Sequence, residues 1–121
     1  MTHKQALIDL LDKVKAGRAI STPQAAKVIR QAPRFSQAYD GQSVDAGLIL
    51  LKALAPNFML NKLGRRYSEP GKPECWGVEL LEIDATGWHV EVCERVNVWA
   101  ETPSRAILIA TLEAIIAKEG E

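Results

Sequence analysis

The sequence predicts an α+β domain in which a three-stranded antiparallel sheet lies between helices, in the order α-α-α-β-β-β-α. Three observations predict it. Apolar residues return at helical spacing in three stretches before Pro56. The run from Trp76 to Trp99 is rich in valine and tryptophan and is broken by Asp84-Ala85-Thr86-Gly87. Thr102-Pro103 then opens a long apolar helix.

Thr2 and Gln5 have capping-box spacing, and Leu7, Leu10, Leu11 and Val14 follow at helical intervals until Gly17 supplies a stop. Thr22-Pro23 reads as the N-cap and first turn of a second helix. Its stripe is Ala25, Val28, Ile29 and Ala32, and Pro33 is expected to end it. Residues 33–41 read as irregular chain or a single turn anchored by Phe35 and Tyr39. Ser43 can cap the third helix, with Asp45 in its first turn and Val44, Gly47, Leu48, Leu51 and Leu54 facing inward as far as Pro56. Phe58 to Arg66 alternates as a strand that Gly64 weakens. Pro70, Gly71 and Pro73 mark residues 67–74 as a long hairpin connection before strands at 76–83 and 88–99. The last helix runs from Thr102 through Leu108, Leu112, Ile115 and Ile116 to near Gly120, and Pro103 fits its first turn.

A chain of 121 residues makes one domain, here an N-terminal helical part (1–42) joined to an α-β-β-β-α core (43–121). Apolar residues at 47% and charged residues at 25% suit a soluble protein, and no apolar run nears the roughly 20 residues that span a bilayer. The N-terminal residues lack the continuous apolar centre of a secretory signal, so a cytoplasmic protein with no membrane partner is expected. Net charge is zero, but residues 1–42 carry seven Lys/Arg against three Asp/Glu, and residues 43–121 carry eight against twelve. That second balance disfavours a strongly basic nucleic-acid binder, because phosphate neutralisation supplies most non-specific affinity. Cys75 and Cys93 lie in no C-x-x-C arrangement, so reduced thiols are expected, with a cross-strand disulfide as the alternative.

If Asp84 to Gly87 is a four-residue loop, Ile83 opposes Trp88 and Val78 opposes Cys93. Ile83, Leu81, Trp88, Val90, Val92, Val96 and Val98 then share a core face. Trp76, Val78 and Leu80 share the other with His89, Glu91, Cys93, Arg95, Asn97 and Trp99. This second face is too apolar to be wholly solvated and too polar for an ordinary core. The third and fourth helices can cover the first face, leaving the first two helices for the second. If those do not reach, a symmetric second copy would, making the face a dimer interface.

Asp40-Gly-Gln-Ser-Val-Asp-Ala-Gly-Leu-Ile-Leu-Leu-Lys-Ala-Leu-Ala-Pro-Asn-Phe58 resembles the "D-G-S-L-D-A-A…L-P-G-W" helix of the phage ABA-sandwich domain family. The tryptophan strand ending at Trp99 and the helix start Thr102-Pro103-Ser104-Arg105-Ala106-Ile107 resemble that family's C-terminal half, so the likeness covers about residues 38–118. Gln42 is inserted in the Gly-Ser pair, Gly47 replaces alanine, and Asn57-Phe58 replaces Gly-Trp. The resemblance implies a small accessory protein of a bacteriophage or prophage, from a family with no activity assignable to a residue here.

His89 with Glu82 and Glu91 has the composition of an acid–base group, but the same residues read as cross-strand contacts on a half-covered sheet. His89 and Cys93 are four positions apart on an extended strand, roughly 13 Å, too far for a dyad or a shared metal. Nucleotide-loop and hydrolase signatures are absent from the sequence. Lys62, Arg65, Arg66 and Lys72 around the first hairpin, with the sheet tryptophans, support a nucleic-acid or nucleotide binder as the alternative function, with Arg95 set across from Trp76 as a cation–π partner. The start of the last helix offers phosphates one basic residue, Arg105. The leading expectation is therefore a non-enzymatic protein, without cofactor or metal, that binds an unknown host or phage protein and self-associates. Its candidate surface is Trp76, His89, Arg95 and Trp99, with Arg65 and Arg66 at the adjacent loop.

Overall fold

The computed structural model describes residues 2–66, 75–83 and 95–119. The elements are α1 (His3–Ala16), α2 (Thr22–Ala26), α3 (Ala32–Tyr39), α4 (Val44–Leu54), β1 (Phe58–Arg66), β2 (Cys75–Glu82), β3 (Arg95–Ala100) and α5 (Pro103–Glu119). The α+β class and the three-stranded antiparallel sheet expected from the sequence are both present, with strand order β1-β2-β3.

Hydroxyl caps start the longer helices where the sequence places them. Thr2, Ser43 and Thr102 accept the N–H groups of Gln5, Ala46 and Arg105 at 3.1, 3.1 and 3.2 Å. Gly17, at φ 70°, lets α1 stop, and the N–H groups of Gly17 and Arg18 return to the carbonyls of Val14 and Lys13. The complete capping box lies at α2, where the Ser21 N–H donates to Gln24 Oε1 at 2.8 Å and Ser21 Oγ accepts from the Gln24 N–H at 3.3 Å. Ser21, not Thr22, is therefore the N-cap of α2.

Pro33 starts a helix instead of ending one. Gln31 adopts the left-handed conformation (φ 63°, ψ 35°), which breaks the chain after α2, and Pro33 then occupies the first turn of α3, where its missing N–H costs nothing. Phe35 and Tyr39, expected in irregular chain, fall one helical turn apart with ring centroids 5.8 Å apart.

The β2·β3 register differs from the expected one. Val78 faces Val98, five positions beyond Cys93, and the last described pair is Leu81 with Arg95. A shift by an odd number of residues reverses the faces of one strand relative to the other. Val78 and Leu80 therefore join Val98 on the buried face, and Leu81 turns to the opposite side. Burial of Val78 (3% exposed), Leu80 (0%) and Val98 (6%) together fixes the pairing, and the Asp84–Gly87 loop from which the other register was counted lies outside the described residues. Trp88, Val90, Val92 and Cys93 of the expected faces lie outside the described residues.

The segment Ala106 to Ala110 of α5 is buried on every side, as an all-round apolar helix must be. The sheet covers one flank, through β2 and β3, and α1, α3 and α4 pack around the others. Thr111, buried inside this packing, donates its hydroxyl to the Ile107 carbonyl at 2.8 Å and so leaves no polar atom stranded. α4 also reaches the start of β1, near Phe58. The first two helices do not take the second sheet face. α1 lays Leu7, Leu10, Leu11 and Val14 toward the helical core against α5, and α2 packs on α3. Among the described residues no helix is long and apolar enough to cross a membrane.

Candidate functional site

Alternation along β2 turns Gly77, Glu79 and Leu81 away from α5. Their register partners are Trp99, Asn97 and Arg95 on β3, and Gly64, Lys62 and Met59 on β1. Trp99 is 49% exposed and Met59 39%, the two largest apolar exposures on this outer face. The Trp99 indole lies over Gly77. A Cβ there would come within 2.6 Å of Cη2 and 2.8 Å of Cε3, so the glycine is what lets the ring lie flat on the sheet. Beside it the Asn61 amide donates to Glu79 Oε1 at 2.8 Å.

The candidate residues expected on one face are divided between two. Trp76 is half-buried on the α5 side against the hydrophobic core, opposite Ala100, and Trp99 is on the outer face. Arg95 pairs in register with Leu81, so it does not stand across from Trp76 as the cation–π reading required. Arg65 and Arg66 occupy the last positions of β1, opposite Trp76 and Cys75. His89 lies outside the described residues, and with it the acid–base grouping.

A second feature adjoins the outer face. Along the end of β3, between that strand, α5 and the C-terminal turn of α1, runs a groove of about 440 Å³. Val98, Ala100 and Ile109 form its apolar side, and Trp99 its wall. Its charged rim is built from two ion pairs: Lys15 with Glu113 at 3.1 Å and Arg105 with Glu101 at 3.6 Å. Arg105 is fixed by more than that pair. Its Nε donates to the Val14 carbonyl at 3.0 Å and its Nη2 to the Lys15 carbonyl at 2.8 Å. The Val14 carbonyl thus accepts from Arg105 as well as from the Gly17 N–H, the Lys15 carbonyl belongs to the last turn of α1, and a cation at this terminus also opposes the helix dipole. Nearby, the Tyr39 hydroxyl donates to the Arg18 carbonyl at 2.6 Å. Burial pushes the Tyr39 phenol above its ordinary pKa, Arg105 pulls it down, and Asp40 pushes it up.

No protein-family model matches the chain, and no curated protein or solved structure matches it.

Among the described residues no group of three His, Cys, Asp or Glu side chains gathers where it could hold a metal ion. The described residues place a tryptophan flat on the outer sheet face and an ion-paired groove beside an outer strand. Sequence reasoning named Trp99 and missed the groove. Arg105, Ile109 and Glu113 recur every four residues on one stripe of α5, the only linear trace of it, and Lys15 comes from a helix about ninety positions away.

Proposed function

We propose that the protein is a non-enzymatic interaction protein, a phage or prophage accessory protein working in the host cytoplasm as its resemblance implies. Its outer sheet face is the binding surface and a second copy of the chain its first partner. One observation carries the reading: the first two helices leave that face, with Trp99 and Met59 about half and two-fifths exposed on it. Exposed large apolar side chains mark contact surfaces, and tryptophan is prominent among residues that dominate binding energy; here Met59 and Trp99 flank the polar positions Asn61, Lys62 and Glu79. Two such sheets packing face to face would sit about 10 Å apart with their helices outermost. The charges suit a two-fold copy, since Lys62 and Glu79 share a register position and each copy offers both.

Sedimentation equilibrium over a range of concentrations tests this. The chain is expected to dimerise, and Met59→Glu, which puts a charge on the outer face of the edge strand β1 at a residue outside the core, is expected to leave a monomer of unchanged helicity. A wild-type chain that stays monomeric at the highest concentration would overturn the reading.

A further inference from the structure

β3 ends the sheet: among the described residues it pairs with β2 along one side. The groove runs along its other side, and the two features together have the geometry of a strand-addition site, where an extended peptide pairs with an outer strand and drops alternate side chains into a pocket. We infer that the β3 groove captures an extended peptide segment of a partner protein, with alternating apolar side chains and a basic residue at the end that reaches Glu101. The inference rests on the reading of the chain as a binding protein, though not on its dimer.

Three observations choose that occupant. The first is room. A strand added about 4.8 Å beyond β3 would lie in the groove, its inward side chains over half-buried Ala100 and the small exposed edges of Val98 and Ile109, and α1 flanks α5 at this side as the far wall. Trp99 lines the groove at its strand and lays its ring over Gly77 on β2.

The second observation excludes a second copy. α5 lies over β2 and β3, so joining β3 to the β3 of a two-fold mate would bring the two α5 helices about two strand spacings, roughly 10 Å, apart. That is already the separation of two helices in contact. α1 stands on this same flank of α5, tied there by Arg105, and both copies of it would need the space between. A groove of about 440 Å³ also has the size of a site for one small ligand or a short segment, roughly 300–1,000 Å³.

The third observation is charge. Lys15 is held by Glu113, and the Arg105 guanidinium is engaged on two carbonyls. Glu101 is 78% exposed against 50% for Lys15, and its link to Arg105 is long, so the most accessible charge at the mouth is a carboxylate. A lysine or arginine of the peptide complements it.

The test uses two acetylated, amidated octapeptides of alternating valine and threonine, one ending in two lysines and the other in two glutamates. They are titrated into full-length chain carrying Met59→Glu, so that the outer-face dimer has no part in the result. Amide exchange and chemical shifts of residues 95–100 and of Ile109 are read by NMR. The lysine-ended peptide is expected to slow β3 exchange about tenfold at saturation and to bind at least about threefold more tightly than the glutamate-ended one. Glu101→Lys, at an exposed position, is expected to reverse that order without changing the fold. The inference is overturned if millimolar peptide of either kind leaves β3 exchange and Ile109 unchanged. It is equally overturned if β3 is protected because this variant pairs with its own copy, seen as a doubled mass.

Discussion

The two faces of one small sheet have opposite fates, and the contrast separates what holds this protein together from what it can offer a partner. On the inner face Val78, Leu80 and Val98 are all but sealed under α5, a helix apolar enough to be enclosed on every flank. On the outer face Met59 and Trp99 remain substantially exposed, and Glu79 is satisfied by Asn61 instead of by a core partner. The same three strands supply both, and parity separates Val78, Leu80 and Val98 from Met59 and Trp99, while Leu81, 9% exposed on the outer face, and Leu63, 37% exposed opposite Val78, depart from it.

The sharpest way to break that contrast is to cut one residue from each side. Leu80→Ala is expected to destabilise the fold by about 3 kcal/mol in urea unfolding, through lost burial and a cavity that α5 cannot close. Met59→Ala at a concentration where the chain is monomeric should cost less than about 1 kcal/mol. Equal costs would mean that the outer face is covered in the monomer.

Smaller in effect, Gly77→Ala examines how Trp99 is seated. A methyl group there collides with the indole, and a loss of about 1–3 kcal/mol is expected. In a Trp99→Ala background the same change should be nearly neutral, a coupling that a double-mutant cycle reads directly. Independent effects of the two substitutions would show that the ring does not lie over Gly77 in solution.

Smallest is Tyr39→Phe, on the helical side, which removes the hydrogen bond to Arg18 and should cost about 0.5–1 kcal/mol at neutral pH. Its pH dependence has a definite sign. Because burial raises the phenol's pKa, the native state keeps its proton longer than the unfolded chain. That contribution is whole below the unfolded value of about 10 and is lost as pH rises through the folded value. The stability gap between wild type and Tyr39→Phe should therefore narrow in the alkaline limb. A gap that widens there would contradict the assignment.

Much of the fold was legible because its punctuation is local. Thr2, Ser43 and Thr102 are followed by periodic apolar residues, and β1 carries its own alternation from Phe58 to Arg66. Two errors share a cause, a strong local signal overruled by a neighbour. Pro33 looks like a stop until Gln31 takes the left-handed turn that makes it a start, and the register counted from Asp84 to Gly87 gives way to the pairing of Val78 with Val98. The candidate surface inherited the second error. Trp76 and Trp99 were grouped by a parity that one odd shift undoes, and only Trp99 stands on the exposed side. The groove was less legible still, because three elements distant in sequence build it and helix packing alone brings Lys15 to Glu113.

The most direct measurement is an isotope-filtered NOE experiment on a mixture of labelled and unlabelled chain. The account predicts contacts between copies from the Met59 methyl and the Trp99 indole, and none from residues beneath α5. Intermolecular contacts confined to the helical side, or a concentrated sample with none at Met59 and Trp99, would contradict it.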